Sequence, residues 1–338
     1  MSLVWLAAAI ASGAAAAVIA LMLAHRWPLA IDQPNERSLH TQPVPRTGGL
    51  GLLAGLLCAA LVTTLLQGAW PWPETVLAAA LAAVSLIDDQ RSLSVRVRLF
   101  AHLTIAVVYA VLMPALLLPH TAPGWHGAAW LLFAALCLVT AINFYNFMDG
   151  ANGMAGGMAC IGFGAYAWAA WPGNPALAAL SLAVAGAAAG FLPFNLKGRI
   201  FMGDAGSVPL GFLAGAVGLN GWHTGLWPLW FPALLFAPFA LDATVTLVRR
   251  MLRGEKFWLS HREHYYQRVV LMGATHGQLA AGECALMLAC AGAALWARSM
   301  EETGGGAGPR AIFATIGALF LILMLLIDAR WKRLDQRQ

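Results

Sequence analysis

The sequence predicts an all-α, polytopic integral membrane protein, and three observations predict it. First, 60% of the 338 residues are hydrophobic and only 10% charged, whereas a soluble domain carries about a quarter charged residues. Second, polar or Pro/Gly breaks divide the chain into eleven apolar runs, each near the roughly 20 residues a helix needs to cross a bilayer. Third, the basic residues fall on alternate connecting loops, the asymmetry that orients membrane helices. No polar stretch is long enough to build a second domain, so residues 1–338 read as one membrane-embedded domain.

The runs cover about 3–24, 48–68, 72–87, 99–118, 127–147, 154–171, 175–194, 208–222, 227–248, 280–297 and 311–329. The first has no basic leader and is long enough to span, which predicts a membrane helix rather than a cleaved signal peptide. With the amino terminus outside, the loops at about 25–47, 88–98, 148–153, 195–207 and 249–279 and the tail face the cytoplasm. They hold every Lys and Arg except Arg298 and Arg310, as cytoplasmic loops should. Trp70, Trp72, Trp125, Trp171, Trp222 and Trp227 fall near the opposite boundary as an aromatic belt. The tail beyond Ile327 reads as a short basic end. The cysteines (Cys58, Cys137, Cys160, Cys284, Cys290) sit in apolar runs without ligand spacing and read as small core residues. The bilayer is an expected partner; nucleic acid is not.

The few acids carry the chemical information, because an acid in or beside a bilayer is costly and marks a functional site by default. Asp88 and Asp89 end the third run, ahead of Arg91, Arg96 and Arg98. Adjacent carboxylates repel unless a cation intervenes, so the pair suits either a metal or a general base. Asn143, Asn146 and Asp149 recur at i, i+3, i+6 and make one stripe of hard oxygen ligands; interhelical glue is the bland alternative. Asp204 follows the seventh run on a Gly-flanked turn, with Ser207 placed to cap the next helix. The longest cytoplasmic loop carries Arg249, Arg250 and Arg253, then His261, Arg262 and His264. Its arginines are equally suited to anionic headgroups. Asp242 lies inside the ninth run and needs a partner, either Arg249 or a polar group on another helix. His25, His102, His120, His126, His223 and His276 read as boundary or packing residues. The polar clusters share one membrane face, which favours one-sided chemistry over passage across the membrane.

With these clusters in place, the chain resembles the polyprenyl-phosphate N-acetylhexosamine-1-phosphate transferases over about residues 30–270. Five ordered motifs carry the resemblance: Asp32-x-Pro-Asn-Glu-Arg-Ser-x-His40 with Pro45-Arg-x-Gly-Gly49; Asp88-Asp89 with Arg98; Asn143-x-x-Asn-x-x-Asp-Gly-x-Asn-Gly153; Phe201-Met-Gly-Asp-x-Gly-Ser207; and Pro238-x-x-x-Asp242 with the arginine and histidine loop. The resemblance implies transfer of a sugar 1-phosphate from a UDP-N-acetylhexosamine to undecaprenyl phosphate, with release of UMP. It implies Mg²⁺ or Mn²⁺, the bacterial inner membrane, a cytoplasmic active site, and a homodimer. It makes Asp204 and Asn146 metal ligands and Asp149 part of the nucleotide–metal site. Asp88 or Asp89 would bind and deprotonate the lipid phosphate. Arg98, Arg46, His40, Asn143, Asn152, His261 and Arg262 would bind substrate, and His264 the diphosphate.

Two departures refine the expectation. Asn152 stands where the family pattern has a second acid. A single His264-Tyr-Tyr-Gln267 replaces consecutive histidines, which points away from the peptidoglycan-precursor branch and towards the O-antigen-initiating one. The donor is then UDP-N-acetylglucosamine, or a 6-deoxy amino sugar such as N-acetylfucosamine or N-acetylquinovosamine. Attack is either direct or through an aspartyl intermediate. A secondary transporter or lipid flippase is the rival class; it would show inverted repeats and ionisable groups at mid-membrane.

Overall fold

Each predicted apolar run is helical, the ninth in two pieces, in the structure, a computed structural model. It describes residues 2–25, 30–34, 42–67, 69–112, 124–171, 173–256, 259, 261–303 and 308–335. In chain order the helices are α1 (Ser2–Ala24), α2 (Gly48–Gln67), α3 (Trp72–Arg91), α4 (Val95–Leu112), α5 (Gly124–Phe147), α6 (Met154–Ala170), α7 (Pro175–Asn195) and α8 (Asp204–His223), followed by α9 (Trp230–Leu235), α10 (Ala237–Leu252), α11 (Tyr265–Leu271), α12 (His276–Glu302) and α13 (Gly308–Asp335). One antiparallel pair, β1 (Ile31–Asp32) with β2 (Val44–Pro45), precedes α2. Among the described residues seven helices, α1, α2, α4, α5, α7, α12 and α13, are long and apolar enough to cross a bilayer. The rest of the fourth run, 113–118, lies outside the described residues.

Several boundaries differ from expectation for identifiable reasons. The ninth run is broken at Phe236, because Pro238 has no N–H to give the Leu234 carbonyl and its ring crowds that oxygen. The predicted loop 88–98 shrinks to Ser92–Ser94: α3 continues through Asp88 and Asp89, and Asp88 closes the turn by accepting the Leu93 N–H at 2.6 Å. Likewise α8 starts at Asp204, so Ser207 lies inside the helix instead of capping it. The basic tail is helical to Asp335. Two of the belt tryptophans are buried: Trp70 bonds Thr75, and Trp227 stacks on Tyr166 and Phe231.

Helices in lipid gain little from apolar burial against one another, so close packing relies on small residues. Along α1, Ala7, Ala11, Ala15 and Ile19 form a buried i, i+4 stripe. Gly186 and Gly190 of α7 lie directly on the Ala8 and Ser12 carbonyls, where any Cβ would collide. Helix α8 is buried along nearly its whole length, against α3, α5 and α2, with Asp204 at its first residue. At the opposite end of α3, buried Glu74 accepts from Tyr109 Oη at 3.0 Å and Asn220 Nδ2 at 2.9 Å. That bond set pins α3, α4 and α8 together away from Asp88, Asp89 and Asp204. Acids within helices are therefore not confined to Asp242: Glu74, Glu283 of α12 and Asp328 of α13 join it.

Candidate active site

The site is assembled by two docked loop segments. Gly48 and Gly49 donate their N–H groups to Phe201 and Met202 carbonyls at 2.9 and 2.8 Å, and Phe201 donates to Pro45 at 2.8 Å. The Pro45–Gly49 motif and the Phe201–Ser207 motif are thus two halves of one structure. Gly203 is required there twice over: its φ is +71°, and a Cβ would meet the Arg46 carbonyl. Only glycine adopts that backbone region without strain.

Around this junction Arg46, Asp88, Asp89, Arg98, Asn146, Asp204, His261 and His264 line one cavity of about 560 Å³. Arg98 Nη1 lies 3.3 Å from Asp88 Oδ2 and 3.8 Å from Asp204 Oδ2, which draws acids from α3 and α8 together. Arg46 Nε is 3.4 Å from Asp89 Oδ1, while Asp89 Oδ2 accepts the Ala205 N–H at 3.4 Å. Asn146 Oδ1 accepts from Ser207 Oγ at 2.6 Å, fastening the end of α5 to α8. Asp149 sits in the turn after α5. Burial, then the carboxylates of Asp204 and Asp89, pushes its carboxyl well above the usual range.

His264 is positioned from behind. The Asp242 carboxylate lies 3.0 Å from His264 Nδ1 and accepts the Tyr265 and Tyr266 N–H groups and the Thr246 hydroxyl. An ionised carboxylate only accepts, so Nδ1 carries the proton and Nε2 is left for the cavity. Tyr266 Oη bonds the Phe147 carbonyl at 3.1 Å and presses on Gly150, tying α11 to the Asp149 turn. Of the two partners open to Asp242, the polar groups of another helix serve, and Arg249 makes a bidentate pair with Asp328. Arg250 and Arg253 pair with Glu255 and Glu263, so these arginines are neutralised internally rather than offered to headgroups. His261, whose ring centre lies 4.8 Å from that of His264, is held down to about 4 by burial and by His264 and Arg250.

The remaining expected residues are placed elsewhere. Asn143 donates to the Val139 carbonyl of its own helix at 2.7 Å, and Asn152 lies beside Gly198; neither lines the cavity. Arg262 is exposed in the histidine loop, and His40 falls outside the described residues. Sequence reasoning passed over Gln267, which lines the cavity, and Asn195. Asn195 accepts the Gly153 N–H at 2.6 Å and donates to the Ile200 carbonyl at 3.0 Å, joining two of the site's loops. A lone amide ending a long apolar run was the available signal.

The sequence profile of glycosyl transferase family 4 matches residues 73–221. A decaprenyl-phosphate N-acetylglucosaminephosphotransferase of Mycolicibacterium smegmatis is 30% identical over 286 residues, covering 73% of this chain and 70% of its own. The chain belongs to glycosyl transferase family 4. A probable undecaprenyl-phosphate N-acetylglucosaminyl 1-phosphate transferase of Bacillus subtilis is 28% identical over 256 residues, covering 73% of this chain and 71% of its own. An undecaprenyl-phosphate alpha-N-acetylglucosaminyl 1-phosphate transferase of Yersinia pestis is 28% identical over 325 residues, 90% and 84% of the two chains. In this family 4 transferase the matched segment runs from α3 through α8 and includes the three aspartates that line the cavity, Asp88, Asp89 and Asp204, and also Asp149 in the turn after α5, which does not line it. Arg46 and the histidine loop lie outside it and are brought to the same cavity by the fold.

The donor set fits a hard divalent cation. Asp204 and Asn146 offer oxygen ligands from two helices, beside the carboxyls of Asp88 and Asp89. Among the described residues no three Asp, Glu, His or Cys side chains form a closed cage.

Proposed function

We propose that the chain transfers an N-acetylhexosamine 1-phosphate from a UDP-sugar to undecaprenyl phosphate, at the cytoplasmic face of a bacterial inner membrane. The product is a pyrophosphate-linked lipid sugar that initiates an O-antigen-type polysaccharide. The observation that carries this reading is the convergence of Asp88, Asp89 and Asp204 with Arg46, Arg98 and His264 on one cavity at the helix ends. Such a mouth lets a lipid phosphate arrive from the bilayer and a nucleotide from water. The names of the relatives make UDP-N-acetylglucosamine the first donor to test.

In the proposed step an oxygen of the lipid phosphate attacks the phosphorus that bears the sugar. The bond from that phosphorus to the bridging oxygen breaks, and UMP leaves with the electron pair. Phosphoryl transfer depends chiefly on alignment and on neutralising spread negative charge. Arg98 and Arg46 hold phosphate oxygens, and Asp89 or Asp88 takes the acceptor's proton. Asp88 is already engaged by Leu93 and Arg98, and Asp89 by Arg46 and Ala205. That favours direct attack over an aspartyl intermediate. His264, backed by Asp242, meets the donor diphosphate, with His261 beside it. Asp204 and Asn146 would hold Mg²⁺ or Mn²⁺, which when bound supplies positive charge to the transferred group.

The test is release of UMP by purified protein given undecaprenyl phosphate, UDP-N-acetylglucosamine and Mg²⁺, followed by a panel of donors. Asp204→Ala abolishes release while the protein stays folded. Full turnover in that variant, or after complete chelation, removes Asp204 or the cation from the mechanism.

A further inference from the structure

We propose that Asp328, on the last helix, is a positioning residue for the reaction: it clamps the short helix that begins at His264 against the cavity. The inference rests on the transferase reading and extends it to a segment far beyond the matched part of the chain. Asp328 receives Arg249 through two bonds of 2.9 and 2.7 Å, Arg268 Nη1 at 3.0 Å, and Tyr265 Oη at 3.3 Å. Arg249 and Arg268 also flank the Tyr265 ring at 5.4 and 5.3 Å, and Arg268 lies 5.8 Å from the Trp331 ring.

Tyr265 and Arg268 are i, i+3 on α11 and so share the face turned to α13. The other side of α11 is held by Asp242, through His264 and the first two N–H groups of the helix. A helix of seven residues cannot sustain itself; this one is fixed between two carboxylates. Arg268 is 8% exposed, and removing one partner of a largely buried ion pair leaves an uncompensated charge. With the Asp328 charge gone, Arg249 and Arg268 repel, and Arg268 turns to Glu263, whose Oε2 is already within 4.0 Å. Glu263 stands between His261 and His264 and anchors Arg250 and Arg253. Its displacement moves both histidines.

The test compares full-length Asp328→Asn and Asp328→Glu with wild type in UMP release, thermal unfolding and hydrogen exchange. In Asp328→Asn, kcat/KM for UDP-N-acetylglucosamine falls on the order of 10²-fold, the effect of a small misplacement of a reacting group. Exchange quickens in 261–271 but not in α1–α8, the protein stays folded at the assay temperature, and Asp328→Glu restores most of the loss. Wild-type kinetics in Asp328→Asn overturn the proposal whatever the exchange shows. So does activity lost only in step with global unfolding while exchange in 261–271 is unchanged. If wild type releases no UMP from any donor, the transferase reading falls, and the exchange comparison still decides whether Asp328 holds α11.

Discussion

Asp242→Asn tests the arrangement behind His264 with almost no change in volume. The carboxylate accepts four hydrogen bonds: His264 Nδ1, the Tyr265 N–H and the Thr246 hydroxyl at Oδ1, and the Tyr266 N–H at Oδ2. An amide offers one acceptor oxygen. With that oxygen at Oδ1, the new NH₂ faces the Tyr266 N–H and leaves it unsatisfied, at a cost of about 1–3 kcal/mol. The three bonds that remain lose their charge assistance, which roughly halves their strength. Together these weaken the seating of His264 by about 2–4 kcal/mol, and at 1.36 kcal/mol per decade that is roughly 30- to 10³-fold in rate. The assay is UMP release normalised to folded protein, in wild type and in a His264→Ala background. The substitution slows the first and adds little to the second, because Asp242 acts through His264. Equal losses in the two backgrounds would refute the reasoning.

Gly203→Ala forces a side chain onto the Arg46 carbonyl at φ +71°; turnover is lost and Arg46 detaches from Asp89, read as lost protection of 45–49 in hydrogen exchange. The stability of the histidine loop falls with acid. His261 sits at about 4 when folded against an ordinary 6.5, so the unfolded chain gains a proton that the folded one refuses. Stability is complete above about pH 6.5 and is lost as pH falls towards 4. Glu263 is also lowered: burial opposes, but Arg253 and Arg250 prevail, and its loss comes below its ordinary 4.5. Asp149, being raised, acts in the opposite sense. The informative quantity is therefore the difference in melting temperature between wild type and His261→Asn, which narrows from pH 7 to pH 4.5; a constant difference shows that His261 does not titrate there.

Much of this molecule is legible in its sequence where a local rule applies. Apolar run length located the helices, and basic-loop asymmetry placed Asp88, Asp89, Asp149 and Asp204 at one mouth before any coordinates. Pro238 carries the signal for the break at Phe236, which the single expected run 227–248 passed over. What stayed hidden depends on partners distant in the chain. Nothing near Arg249 says that it bonds Asp328 rather than Asp242, or that Asn195 bridges Gly153 and Ile200. Charge patterning shows that arginines gather in a loop; whether lipid or Glu263 neutralises them is decided only by folding.

The order of the ion pairs along the chain bears on how such a protein enters a membrane. Arg46, just before α2, and Asp88, Asp89 and Arg98, on α3 and α4, all precede α5, and they are paired with one another. A nascent chain threading through a translocon thus carries Asp88 and Asp89 together with the guanidinium groups that match them. Asp204 emerges afterwards at the start of α8 and meets Arg98 of the earlier group. A chain halted before α8 lacks Asp204, so the acids of the cavity are brought together only once the eighth helix packs against α3 and α5.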